Sequence, residues 1–87
     1  MMIKPGFEIK KISDRFIVIP SVESSINFTG IVTLNSSGKL LFEALKNDKT
    51  TNDLVILLTE KYEVTNEQAL KDVNAFLEIL KKHNLLT

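Results

Sequence analysis

The sequence predicts an α+β domain in which three short antiparallel strands are followed by three helices, in the order β-β-β-α-α-α. Alternating and β-branched apolar residues dominate the segment from Phe7 to Ile19, which is typical of strands. From Ser36 onward the apolar residues recur at helical spacing instead, and Thr50 and Thr65 stand where helix caps are expected. The chain therefore divides into an N-terminal β half and a C-terminal α half.

The composition is that of one ordinary folded domain. The chain has 87 residues, 44% of them hydrophobic, which is enough for one core and no second lobe. Eleven basic and eleven acidic side chains cancel, so the overall field that draws proteins to nucleic acid or anionic lipid is missing. The chain contains no cysteine, which excludes disulfides and suits a reducing compartment. Because the N-terminus also lacks an apolar signal region, we expect a soluble, cytoplasmic protein with a single domain over residues 1–87.

Two strands of the β half are expected to form a hairpin. The first strand is predicted from Phe7 to Ile12, and the second from Arg15 to Ile19, where Pro20 stops it. Ser13 and Asp14 between them suit a tight turn.

A third strand is expected to pass directly into the first helix. After a polar connector from Ser21 to Asn27, β-branched residues predict a strand from about Phe28 to Leu34, with Gly30 at a bulge or a close approach. Asn35 follows, where its side chain can accept the free N–H groups of the first helical turn. Local residues thus set the junction between strand and helix.

The first two helices show the apolar stripes of helices that pack on a core. The first is predicted from about Ser36 to Lys46 with the inward stripe Gly38, Leu41, Phe42 and Leu45. On this interpretation another backbone comes close to Gly38; the alternative is a glycine in a loose loop. The second helix begins after Thr50 or Thr51 and runs to about Tyr62. Ile56 is expected to point outward, and the inward residues are expected to be Leu54, Leu57, Leu58 and Tyr62.

The third helix is predicted from a capping box, in which Thr65 bonds to the N–H of Gln68 and the Gln68 side chain reaches back. It is expected to run to about Lys82, to pack over the sheet, and to be followed by Leu85 and Leu86 as an apolar plug. Its core stripe is predicted to be Ala69, Leu70, Val73, Phe76, Leu77 and Leu80, with a partly apolar flank of Asp72, Ala75 and Ile79.

The residue types that support catalysis are absent or scattered. His83 is the only histidine, and its position at a helix end favours a solvated capping cation. Most carboxylates fall on predicted helix surfaces beside lysines, as on a solvated face. The sequence therefore predicts a protein that is not an enzyme, holds no metal or cofactor, and acts by binding.

Three strands beside three helices are also the composition of a winged helix-turn-helix, which offers a recognition helix and a sheet edge. A DNA-binding regulator would use the third helix, but the exposed face of that helix mixes Glu67, Asp72 and Glu78 with Lys71 and Lys81. A peptide-binding domain would add an extended chain to the sheet edge, which requires no net charge. Homodimers formed through an unused edge are a third interpretation.

Several segments between Phe7 and the C-terminus together resemble the PQQ-biosynthesis protein D (PqqD) family. The most specific are the junction Leu34-Asn35-x-x-Gly38 and the spacing Asp72-Val73-x-x-Phe76-Leu77-x-x-Leu80. The remaining ones are Gly30 to Thr33, Leu40 to Leu45, Thr50-Thr51, Asp53-Leu54, Leu57-Leu58 and Asn84 to Leu86. The turn Lys46-Asn47-Asp48 departs from the Cys-Asp-Gly-like turn of members that serve PQQ itself, which leaves the pathway open.

This resemblance implies a small winged-helix-like domain known as a precursor-peptide (RiPP) recognition element. Such domains are peptide chaperones: they bind the leader segment of a ribosomally made precursor peptide and present it to a modifying enzyme, often a radical-SAM maturase in a separate chain. The leader lies as an added strand along the third strand, against the third helix. Transferred to this sequence, the edge is Ile31, Val32, Thr33 and Leu34, and the groove wall is Asp72, Ala75, Phe76 and Ile79. The alternative wall is the other flank, with Asn74 and Lys81.

Overall fold

The computed structural model describes residues 1–20 and 32–87, and its elements follow the predicted order. Three strands precede three helices, which confirms the α+β fold class. The elements are β1 (Phe7–Ile12), β2 (Arg15–Pro20), β3 (Thr33–Leu34), α1 (Ser36–Ala44), α2 (Thr51–Lys61) and α3 (Asn66–Lys82). The predicted connector Ser21 to Asn27, the bulge at Gly30 and the start of the third strand at Phe28 lie outside the described residues.

The three strands form one antiparallel sheet in the order β1-β2-β3. β1 and β2 are joined by the predicted turn, in which Ser13 adopts a left-handed conformation with φ 58°. Their register pairs Phe7 with Pro20 and Ile12 with Arg15, so β2 continues one residue further than predicted. Pro20 has the same parity as Val18, whose N–H points away from β1, so proline removes no hydrogen bond from the β1–β2 ladder.

The register also decides which side chains face the helices. Phe16 is paired with Leu34, and Ile17 with Thr33. Because successive side chains of a strand point to opposite faces, Phe16, Val18 and Leu34 share the core face, while Thr33 lies on the outer face. Val18 and Leu34 are accordingly buried.

Helix α1 begins at the predicted cap. The Asn35 side-chain oxygen accepts a hydrogen bond from the Gly38 backbone N–H at 2.9 Å. The predicted stripe Gly38, Leu41, Phe42 and Leu45 is buried, as expected. A Cβ atom on Gly38 would lie only 3.2 Å from the Cβ of Leu34, so the close neighbour is a strand side chain rather than another backbone.

Helix α2 begins after Thr50, which settles the choice between the two candidate caps. The Thr50 hydroxyl accepts from the Asp53 N–H at 3.1 Å, and the Asp53 carboxylate accepts from the Thr50 N–H at 2.9 Å. The buried face is Leu54, Val55 and Leu58. Leu57 and Tyr62, predicted to be inward, are only half-buried, and Ile56 is exposed as predicted. Both patterns are helical stripes, and the packing of α2 in the fold leaves the stripe that contains Val55 buried.

Helix α3 differs from its prediction in three details. Thr65 accepts from the Gln68 N–H as predicted, but the Gln68 side chain donates forward to Asp72 Oδ1 at 2.8 Å instead of reaching back. Leu70, predicted to be in the core, is 45% exposed, because no element of the described ranges covers that side of the helix. The helix packs mainly against α2, whereas α1 makes the closer contacts with the sheet.

The two ends of the chain complete the core together. Leu85 is fully buried and Leu86 half-buried, as expected for the predicted plug. The N-terminal segment, for which no structure was predicted, forms a β-bridge between Ile3 and Leu86. The Ile3 N–H donates to the Leu45 carbonyl at 2.7 Å, and the Lys4 N–H donates to the Leu85 carbonyl at 2.8 Å.

We expect Leu85→Ala to lower the free energy of unfolding by about 2 to 5 kcal/mol, because the truncation leaves a cavity at a fully buried site. The matched control Leu70→Ala removes the same atoms from an exposed site and should cost no more than about 0.5 kcal/mol. Denaturant titration followed by circular dichroism measures both values. Equal losses would contradict the burial described for these two leucines.

The capping box of α2 predicts a dependence of stability on pH. Hydrogen bonds from the backbone and side chain of Thr50 lower the pKa of Asp53 from its ordinary value of 3.8. A lowered folded-state pKa means that the stabilisation is complete above the ordinary value and is lost as the pH falls through the folded-state pKa. Asp53→Asn should therefore destabilise the protein at neutral pH and by less in strong acid, where the wild-type carboxyl is uncharged as well. Thermal melts across this acidic range provide the test, and a pH-independent difference would contradict it.

Candidate functional site

Strand β3 presents an open edge. In an antiparallel ladder, backbone groups point alternately toward the neighbouring strand and away from it. The Val32 carbonyl accepts from the Val18 N–H at 3.0 Å, and Leu34 pairs with Phe16 two residues further along. Val32 and Leu34 therefore turn their backbone groups toward β2, and Thr33 turns its N–H and C=O away. Within the described ranges no strand occupies that side of β3.

A groove of about 340 Å³ lies between this edge and helix α3, and we call it the β3–α3 groove. Its floor is formed by buried apolar side chains, among them Leu34, Leu41 and Phe76. Ile79 stands on the helix side and is 46% exposed. The described residues that line it are Thr33, Leu34, Asn35, Ser37, Gly38, Leu41, Leu58, Asp72, Ala75, Phe76 and Ile79.

A second pocket of about 400 Å³ adjoins the groove at the start of α1, and we call it the α1–α2 pocket. Its apolar part is formed by Leu58, Tyr62 and Val64, and Ser36 and Ser37 lie on its α1 side. The two cavities share Asn35, Ser37, Leu58 and Asp72 in their linings, so they are neighbours on the surface.

The structure brings most of the predicted site residues to the β3–α3 groove. Thr33 and Leu34 line its strand side, and Asp72, Ala75, Phe76 and Ile79 line its helix side. The alternative wall residues Asn74 and Lys81 do not line it. That these residues contact a peptide remains a prediction.

Two predicted edge residues are placed differently or not described. The Val32 side chain is only 2% exposed and its carbonyl bonds to β2, so its contribution to the edge is to hold the strand in position. Ile31 lies outside the described residues.

Sequence reasoning missed the contributions of α1 and α2 to the groove. Ser37, Gly38 and Leu41 come from α1, and Leu58 comes from α2. One signal existed, since the inward glycine at position 38 indicated a close approach at the strand-to-helix junction. Leu58 carried no such signal, because its stripe is the same as that of any core helix.

The chemistry at this site is that of binding surfaces. No side chain of the described residues is both buried and polar or charged, and no three His, Cys, Asp or Glu residues among them are grouped as a metal site would require. The site offers the backbone of Thr33, an apolar floor and the Asp72 carboxylate. His83 is the C-cap residue of α3 and is half-buried. No helix in the described parts of the chain is long and apolar enough to cross a membrane.

Comparisons with known proteins find a matching family model and similar solved structures. A family model described as "Coenzyme PQQ synthesis protein D (PqqD)" matches residues 17–86. The solved structure "TbiB1 in Complex with the TbiA(beta) Leader Peptide" is similar with a TM-score of 0.74 and 20% identity, over 99% of this chain and 94% of that chain. "Lasso peptide synthetase B1 complexed with the leader peptide" is similar with a TM-score of 0.70 and 19% identity, over 95% and 92%. No curated protein matches.

The directions in which the backbone groups of residues 32 and 33 point predict different effects of proline at these two positions. Thr33→Pro removes an N–H that points away from the sheet, so the domain should stay folded. Val32→Pro places the ring where the backbone faces β2, at a buried site, and should sharply lower the melting temperature. Circular dichroism melts of the two variants give the comparison. If Thr33→Pro is the more damaging of the two, the deduced backbone directions are wrong.

Proposed function

The chain belongs to the coenzyme PQQ synthesis protein D (PqqD) family, since the family model matches residues 17–86, and we propose that it binds the leader segment of a ribosomally synthesised precursor peptide. The leader adds as a strand to the open edge of β3 and rests its side chains in the β3–α3 groove. The domain acts as a peptide chaperone: it does not catalyse a reaction, and it presents the bound precursor to a modifying enzyme.

The observation that carries this proposal is the position of a strand edge, to which no strand of residues 1–20 and 32–87 is paired, directly beside an apolar groove. Thr33 offers a donor and an acceptor to an incoming main chain, and each such hydrogen bond contributes about 0.5 to 1.5 kcal/mol. An apolar side chain that becomes buried against Phe76 or Ile79 contributes about 1.5 to 3 kcal/mol. Apolar anchors therefore supply most of the affinity, while the main chain sets direction and register.

The comparisons support the same class of partner. The two similar structures are described as complexes of their proteins with leader peptides, and each resembles nearly the whole of this chain. A β3 edge left open beside a groove is a suitable receptor for such an extended segment. The enzyme that receives the precursor is proposed to be a separate chain, such as a radical-SAM maturase.

The turn Lys46-Asn47-Asp48, which departs from the members that serve PQQ, lies away from this site. Lys46 lies 3.6 Å from Glu8 of β1, and Asp48 pairs with the amino group of Met1. Neither residue lines the β3–α3 groove or the α1–α2 pocket. The altered turn therefore leaves leader binding intact while allowing a peptide pathway other than that of PQQ.

The DNA-binding alternative is not favoured. Eleven basic and eleven acidic residues give no net charge, and the exposed face of α3 alternates acids such as Glu67 and Glu78 with lysines. The phosphate groups of DNA would be repelled by the acidic side chains as often as they are attracted by the lysines. Homodimerisation through β3 would occupy the proposed edge, so dimers and the peptide complex should exclude each other.

We expect a leader peptide encoded beside this gene to bind the wild-type domain, and Thr33→Pro to weaken that binding about tenfold or more, because an edge donor is lost and the strand fits poorly. Lys11→Pro is the matched control, since Lys11 is exposed and its N–H points away from the sheet at the β1 edge. Fluorescence polarisation with synthetic peptides from neighbouring short reading frames measures all three proteins.

Equal affinity of the wild type and a folded Thr33→Pro variant would rule out strand addition at this edge. A parallel titration with random duplex DNA at low salt tests the alternative. Binding that weakens steeply with added salt, in the absence of peptide binding, would replace the proposed function with a DNA-binding one.

A further inference from the structure

Among the described residues, Asp72 is the single charged side chain that lines the β3–α3 groove, and it also lines the α1–α2 pocket. Its Oδ1 atom accepts a hydrogen bond from Gln68 Nε2 at 2.8 Å. Neither of its oxygens has an ion-pair partner among the described residues. An uncompensated carboxylate therefore stands at the junction of two otherwise neutral cavities, where a ligand in the groove must pass it.

The lining residues show which end of the β3–α3 groove lies next to the end of β3. Asp72 shares the α1–α2 pocket with Asn35, which directly follows β3, whereas Ile79 lines only the β3–α3 groove. The Asp72 end of the wall thus adjoins the end of β3. Ile79 lies seven positions after Asp72 along α3, a rise of about 10 Å, with Ala75 and Phe76 between them.

An added strand meets this wall with alternate side chains. A strand rises about 3.3 Å per residue and turns every second side chain to the same face. Three groove-facing side chains, at positions i, i+2 and i+4, therefore span about 13 Å, which covers the wall from Asp72 to Ile79.

From this geometry we propose that the groove selects leaders in which a lysine or arginine faces Asp72 and apolar residues stand two and four positions away on the same face. The inference rests on the proposed function, because it assumes strand addition to β3. The first apolar residue packs against Ala75 and Phe76, and the second packs beside Ile79. The cation supplies specificity through its charge-assisted contact, while the apolar residues supply most of the affinity.

The test uses a display library of random short peptides, selected on the wild-type domain and counter-selected on Thr33→Pro so that edge-dependent binders remain. We expect the enriched peptides to share a basic residue with apolar residues two and four positions away. The basic residue stands N-terminal to the apolar ones if the peptide runs antiparallel to β3, and C-terminal if it runs parallel, and either order supports the proposal.

Variants of Asp72 assign the basic preference to its carboxylate. Selection on Asp72→Asn should retain the apolar pattern and lose the basic residue, and selection on Asp72→Lys should favour an acidic residue instead. Glu78→Gln is the matched control, because it removes the same charge from an exposed site on α3 that does not line the groove. It should select the same peptides as the wild type. Circular dichroism melts verify that each variant is folded.

Direct titration of one selected peptide measures the size of the effect. Replacing its basic residue with alanine should weaken binding to the wild type about fivefold, and binding to Asp72→Asn hardly at all, with a smaller difference at high salt.

The outcomes separate this inference from the proposed function. Edge-dependent peptides that show the apolar pattern without a basic preference, or whose preference survives Asp72→Asn, would overturn the role of Asp72 and leave leader binding standing. A selection that enriches no peptide dependent on the β3 edge would overturn the proposed function itself.

Discussion

The close contact between Gly38 and Leu34 is the constraint on which the rest of the site depends. A Cβ atom at position 38 would stand 3.2 Å from Leu34 Cβ and 3.4 Å from the Asn35 side-chain oxygen. Glycine lets α1 start immediately beside the strand that precedes it, while Asn35 caps the same turn. Because α1 is held this close to β3, Leu41 reaches the floor of the groove. A Cβ atom at this position would be tightly packed, and Leu34 would have to shift by a few tenths of an ångström to make room for it.

The open edge of β3 carries a risk of aggregation, and in this fold it also provides a binding surface. Unpaired edge strands invite aggregation, and many proteins cover them with a helix or protect them with charge. Here α3 stands beside the edge without covering it, since its facing residues include the small Ala75 and leave Ile79 46% exposed. This arrangement leaves apolar surface exposed to water. It also leaves the β3–α3 groove with a shape that suits an extended peptide.

The core contains apolar side chains and the surface carries the polar groups, and this separation follows from the same packing. Buried side chains of the described residues are all apolar, so stability rests on packing rather than on internal polar networks. The polar groups with a structural or binding role are the helix caps, the backbone N–H and C=O of Thr33, and the Asp72 carboxylate at the end of the groove. Changes at those polar positions can alter recognition without disturbing the core, which would allow one scaffold to serve different peptides.

The sequence by itself determined the elements and their order, because the signals involved act over a few residues. Asn35, Thr50 and Thr65 cap helices through hydrogen bonds to the third residue beyond each of them, and Ser13 closes a hairpin between adjacent strands. Such contacts need no distant partner, so the local pattern is sufficient to predict them.

Only the tertiary structure decided which flank of each helix is covered and which residues meet in the groove. Val55 is buried where Leu57 was expected, and Leu70 is exposed, because burial depends on the element that packs alongside. Leu58 joins Thr33 in one cavity across a long separation in the chain. Several apolar stripes satisfy the helical period equally well, and the choice among them is made by partners that are remote in sequence.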